Sequence, residues 1–90
     1  MGIEAANWLV GRQPVLVGSD TFPVEVWPNP DKELFAPVHQ ILLVLNGIYI
    51  LENLDLEGLA RDQVYEFAFV VQPLKIKGGT GSTVAPSAIR

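Results

Sequence analysis

The sequence predicts an α/β fold, and three observations carry that expectation. Apolar residues recur at helical spacing in two stretches, a run rich in β-branched residues follows each, and further strands come after without helices between them. Two helix–strand alternations favour a parallel strand pair, and the later strands favour antiparallel additions. The expectation is a mixed sheet of about four short strands with two helices, in a single domain spanning residues 1–90.

In the first helix Ile3, Ala6, Leu9 and Val10 share a face, and Gly11 follows as a stop. Pro14-Val15-Leu16-Val17-Gly18 reads as a short buried strand that ends in the polar turn Ser19-Asp20-Thr21. Residues 22–32 hold Pro23, Pro28 and Pro30, which predicts a semi-rigid loop with Val24-Glu25-Val26 briefly extended. A second helix starts near Ala36, because Pro37 suits a first turn where its missing N–H has no helical partner. Val38, Ile41, Leu42 and Leu45 form its apolar face, and Asn46-Gly47 ends it. Ile48-Tyr49-Ile50-Leu51 is the next strand. A helical turn is expected around Leu56 to Ala60, then a long strand over Val64 to Ile76 interrupted by Pro73. Gly78-Gly79-Thr80-Gly81-Ser82 is a flexible turn before a last strand over Val84 to Ile89.

Composition narrows the function classes. The chain has 90 residues, of which 49% are hydrophobic, and a mean hydropathy of +0.29. A chain this short buries only about 60% of its unfolded surface, so some apolar surface is expected to face a partner, with a homo-oligomer the first candidate. The net charge is −4 and the six basic residues are scattered, with no stripe to neutralise phosphates. Nucleic acid and anionic membrane are therefore not expected partners. There are no cysteines, hence no disulfide or thiolate metal site. The start Met1-Gly2-Ile3-Glu4 lacks the pattern of a signal peptide. No apolar run approaches the roughly 20 residues that span a bilayer, so a soluble, cytoplasmic protein is expected.

Residues able to carry chemistry are few. His39 is the only histidine, and it falls in the first turn of the second helix. From His39 the helix advances at ~1.5 Å per residue to Asn46, and the following strand returns at ~3.3 Å per residue to Glu52. Antiparallel packing of the two would bring His39 and Glu52 to one level, where an imidazole and a carboxylate can share a divalent cation. Asp20 and Asp55 are possible further ligands, although a turn role suits each better, and Asp20 with Thr21 is a possible pocket. No nucleophilic triad is evident: Ser19, Ser82 and Ser87 lie in turns and only one histidine could serve as base. The glycine turn lacks the lysine and following helix of a phosphate loop.

Several stretches resemble, in order, the C-terminal half of the cyclase family, which includes bacterial kynurenine formamidase and isatin hydrolase. They are Ala5-Ala6-Asn7-Trp8-Leu9-Val10, Leu16-Val17-Gly18-Ser19-Asp20-Thr21 and Phe35-Ala36-Pro37-Val38-His39. Gly47-Ile48-Tyr49-Ile50-Leu51-Glu52-Asn53-Leu54 and Gln72-Pro73-Leu74-Lys75-Ile76-Lys77-Gly78-Gly79-Thr80-Gly81-Ser82 follow. The resemblance implies part of a swivelling β/β/α domain and metal-dependent hydrolysis of an amide, arylformamidase-like, with zinc or manganese. It assigns His39 and Glu52 to the metal. The remaining ligands and the catalytic histidine of the family come from an H-x-G-T-H-x-D motif, which this sequence lacks. The expected function is therefore a truncated hydrolase fragment with no catalytic residues of its own. The alternatives are a self-associating structural or binding module, or one half of a complemented hydrolase whose N-terminal partner segment supplies the missing ligands.

Overall fold

The computed structural model describes residues 1–90. The chain is mixed α/β and divides into two compact units, Met1–Leu56 and Glu57–Arg90.

In Met1–Leu56 the first element is helix α1, Ile3–Val10, which buries Ala6. It stops where expected, at Gly11, whose N–H bonds to the Asn7 carbonyl at 3.2 Å. Strand β1, Leu16–Gly18, pairs in parallel with β2, Tyr49–Leu51, in the register Leu16↔Tyr49, Val17↔Ile50 and Gly18↔Leu51. The parallel pairing matches the expectation from the helix–strand alternation. Gly18 lies close against Leu54: a Cβ there would sit 2.7 Å from Leu54 Cδ1, so that side chain would have to shift.

Between these strands, helix α2 begins at Pro37 as the proline predicts, but α-helical geometry covers only Pro37–His39. It passes directly into a π-helical segment, Gln40–Leu45. The wider i→i+5 turn changes which residues share a face. Val38 and Leu42 remain fully buried, whereas Leu45, expected on the apolar face, is exposed. Asn46 stabilises the segment's end by donating from Nδ2 to the Ile41 carbonyl at 2.7 Å. Gly47, at φ +64, then turns the chain into β2 in a conformation that costs glycine little.

The core of this unit is Ala6, Val24, Val38, Leu42 and Ile48, with Met1, Val10, Val17, Ile41 and Ile50 packed around it. It therefore joins α1, the proline loop, the α2–π helix and the residue leading into β2.

The unit Glu57–Arg90 holds helix α3, Glu57–Arg61, and strands β3, Ala68–Val70, and β4, Ser87–Ile89. β3 and β4 are antiparallel, with Phe69 opposite Ala88. The expected single mixed sheet of four strands is thus replaced by two separate two-stranded sheets. The long strand expected over Val64 to Ile76 shrinks to its middle. Pro73 offers no N–H to a ladder, and β4 presents only three residues for pairing. Arg90 Nη1 donates to Asp62 Oδ2 at 2.6 Å, and the Ser82 hydroxyl accepts the Leu74 N–H at 3.1 Å. No residue of Glu57–Arg90 is buried. No helix in the chain is long and apolar enough to cross a membrane.

Candidate metal-binding site

The site lies within Met1–Leu56 and is built around His39 by three segments. The first is the α2 start. Ala36 adopts a left-handed conformation, φ 48, and places Pro37 in the first turn. The N–H groups of Val38 and His39 then point out of the helix start with no carbonyl to bond within it.

The second segment is the proline loop, which delivers Glu25. Its Oε2 accepts the Val38 N–H at 3.1 Å, and its Oε1 accepts the His39 N–H at 3.1 Å and the His39 ring at Nδ1, 2.5 Å away. The Glu25 side chain is only 2% exposed. Burial by itself would raise its carboxyl pKa. The His39 ring hydrogen bond, the two backbone N–H donors and the attraction to His39 outweigh burial and hold it below the ordinary 4.5. An ionised carboxylate only accepts hydrogen bonds, so Nδ1 must carry the proton facing it. In its neutral form the ring presents its Nε2 lone pair on the opposite side.

The third segment is the end of β2, which supplies Glu52. Asn53, at φ 56, turns the chain immediately after it, and its N–H bonds to the Thr21 carbonyl at 3.2 Å. The Leu54 N–H reaches the Ser19 carbonyl at 3.0 Å, so Glu52 is held from both sides. Glu52 Oε1 accepts the Val24 N–H at 2.7 Å and sits 3.5 Å from His39 Nε2.

That last separation is long for a nitrogen–oxygen hydrogen bond, which prefers 2.7–3.2 Å. It suits two ligands of one ion. Donors held about 2.0–2.2 Å from a tetrahedral zinc lie roughly 3.3–3.5 Å apart. The backing of His39 by Glu25 through Nδ1 is also the arrangement that orients an imidazole for a metal. Glu25 itself cannot join the same coordination sphere, because it occupies the opposite edge of the ring. Accordingly no group of three or more His, Cys, Asp or Glu side chains is placed to hold a metal. The residues present fit two positions of a divalent site.

Beside His39 opens a cavity of about 390 Å³, lined by Phe22, Pro23, Glu25, Trp27, Phe35, Ala36 and His39. Trp27 and Phe35 meet edge to face with centroids 5.3 Å apart. His39, 32% exposed at its side chain, and Glu25 are the polar residues of this otherwise apolar wall. The cavity can accommodate a flat apolar group next to the imidazole.

The juxtaposition of His39 and Glu52 expected from element lengths is present. Asp20 and Thr21, read as a possible pocket, do not line the cavity. Asp20 is exposed, and the Thr21 hydroxyl donates to the Pro23 carbonyl at 3.1 Å, which shapes the loop. Sequence reasoning missed Glu25 as a site residue. Its signal was available: a single carboxylate between Phe22-Pro23-Val24 and Val26-Trp27-Pro28 sits in an apolar stretch where an unpartnered charge would be costly.

No family model, curated protein or solved structure matches this chain.

Proposed function

We propose that this chain is the metal-holding part of a cyclase-family, arylformamidase-like amide hydrolase, and that it is not catalytic alone. The observation that supports this reading is the 3.5 Å separation of His39 Nε2 and Glu52 Oε1, with Glu25 fixing the proton on Nδ1 from behind. Zinc or manganese is the ion this reading assigns, in a cytoplasmic setting, with no nucleic acid or membrane involved. A fully ligated metal in such a hydrolase activates water against a carbonyl. This chain's share is to hold one edge of the coordination sphere, to keep the ring of His39 in one orientation, and to wall the adjacent cavity with aromatic side chains. A catalytic zinc usually has three protein ligands and one open position; two donors fall short of that. The swivelling β/β/α architecture belongs to the same proposal, as does a separate segment bearing H-x-G-T-H-x-D that completes the site.

Calorimetric titration of the purified chain with zinc and manganese tests the reading, in parallel with an assay on N-formylkynurenine. One weak site is expected, abolished by His39→Ala and reduced by Glu52→Gln, without turnover. Metal-dependent hydrolysis by the chain alone would show that two donors suffice and overturn the non-catalytic assignment. Metal binding undiminished in His39→Ala would remove the site.

A further inference from the structure

We infer that the cavity beside His39 is a cage for a small organic cation, a methylated ammonium compound, which meets the rings of Trp27 and Phe35 above an anionic end formed by Glu25. The inference concerns Met1–Leu56 alone and does not rest on the metal reading. A divalent ion on His39 and Glu52 would oppose it, by cancelling the charge that attracts the ligand.

The walls come first. Trp27 and Phe35 meet with their planes at 89° and their centroids 5.3 Å apart, and both line the cavity together with Phe22. Two rings at right angles form a corner in which an occupant touches a face of each. An aromatic face is the negative side of the ring quadrupole, and a cation within about 6 Å of the centroid is attracted to it. None of these rings is consumed by the core: Phe22 is 74%, Trp27 54% and Phe35 72% exposed.

Charge selects a cation over a neutral guest. Glu25 and His39 are the polar residues of the lining, and Glu52 Oε1 stands 3.5 Å from His39 Nε2. Two carboxylates flank one imidazole, so this end is anionic whether the ring carries one proton or two. No lysine or arginine lines the cavity. Met1–Leu56 as a whole has seven acidic side chains against two basic ones, a field that draws cations.

Hydrogen bonding then selects a methylated ammonium. The Glu25 carboxylate is already engaged by the Val38 N–H, the His39 N–H and the His39 ring, and its side chain is 2% exposed. It acts through its charge but offers little to a primary ammonium, whose three N–H donors need acceptors. Methyl groups on nitrogen have no such need and pack on aromatic faces, which is how aromatic cages hold quaternary ammonium groups. The volume of about 390 Å³ falls in the range of small-molecule sites, roughly 300–1,000 Å³. It suits a whole small molecule rather than the tip of a protein side chain.

Calorimetric titration of the full chain, with a chelator present to exclude divalent ions, compares choline with its uncharged isostere in which carbon replaces the nitrogen. Choline should bind at least about tenfold more tightly, as cation–π attraction to two rings implies. Trp27→Leu keeps apolar bulk without a ring and should erase that preference, whereas Trp27→Phe should retain most of it. Trp8→Leu, away from the cavity lining, should change nothing. Should Trp27→Leu fail to fold, Phe35→Leu repeats the test on the other wall. No detectable binding of choline, equal binding of the isostere, or a preference that survives loss of either ring overturns the inference. Tighter binding of a trimethyllysine peptide than of choline overturns the assignment to a small molecule. Because no ion is present, failure here is separable from failure of the metal reading, which the zinc and manganese titrations decide.

Discussion

Met1–Leu56 and Glu57–Arg90 are both rich in apolar side chains, yet only the first has a core. In Met1–Leu56, α1, the proline loop, the α2–π helix and the approach to β2 each contribute to one cluster, so Ala6, Val24, Val38, Leu42 and Ile48 exclude water from one another. In Glu57–Arg90, β3 and β4 satisfy each other's backbone groups but have no second layer over either face. Strand pairing settles hydrogen bonds; it does not by itself bury side chains. A layer packed on the sheet is what converts apolar sequence into a core. The functional consequence follows the same division. His39, Glu25 and Glu52 can be held at defined distances because each grows from an element anchored in the core. The second unit offers an open apolar surface instead.

The sharpest way to break this contrast is to remove its centre. Leu42→Ala should destabilise Met1–Leu56 by about 3 kcal/mol, read by denaturant unfolding with Trp8 and Trp27 fluorescence, both of which report on that unit. A loss below about 1 kcal/mol would mean the cluster is not the organising core.

Next in size is Glu25. Glu25→Ala leaves the Val38 and His39 N–H groups and the His39 ring without their acceptor, a loss of about 2–3 kcal/mol, and Glu25→Gln should lose less. Because the folded carboxyl titrates below its ordinary 4.5, its contribution is fully present above that value and disappears as pH falls through the lower folded value. Acid unfolding followed by the same fluorescence should therefore show a step below about pH 4.5 that Glu25→Gln lacks. A step unchanged in the Gln variant would place the acid sensitivity elsewhere.

The smallest effect is expected in the other unit. Leu74→Ser alters a side chain that is 60% exposed. It should change the unfolding free energy by no more than about 0.5 kcal/mol. A loss several times larger would show that Glu57–Arg90 has a core of its own and would erase the distinction between the units.

Much of the first unit was legible beforehand. α1 and its Gly11 stop, Pro37 at the start of α2, and the parallel pairing of β1 with β2 follow from spacing, proline chemistry and alternation. The level meeting of His39 and Glu52 followed from the rise per residue in helix and strand. The π-helical stretch did not, because Gln40–Leu45 has the same apolar pattern whether its turns are α or π. Nor did the shortness of β3, since strand length depends on how many partner residues lie alongside.

By itself, then, the sequence determined local conformation and which single-chain spacings could bring an imidazole near a carboxylate, because those depend on backbone geometry over a few residues. Tertiary structure alone decided that Glu25, fourteen positions from His39, closes over the helix start and dictates which ring nitrogen faces Glu52. It also decided that four strands separate into two ribbons. Both outcomes depend on contacts between segments far apart in the chain, where long-range burial and hydrogen-bond satisfaction choose among alternatives that local patterns leave equal.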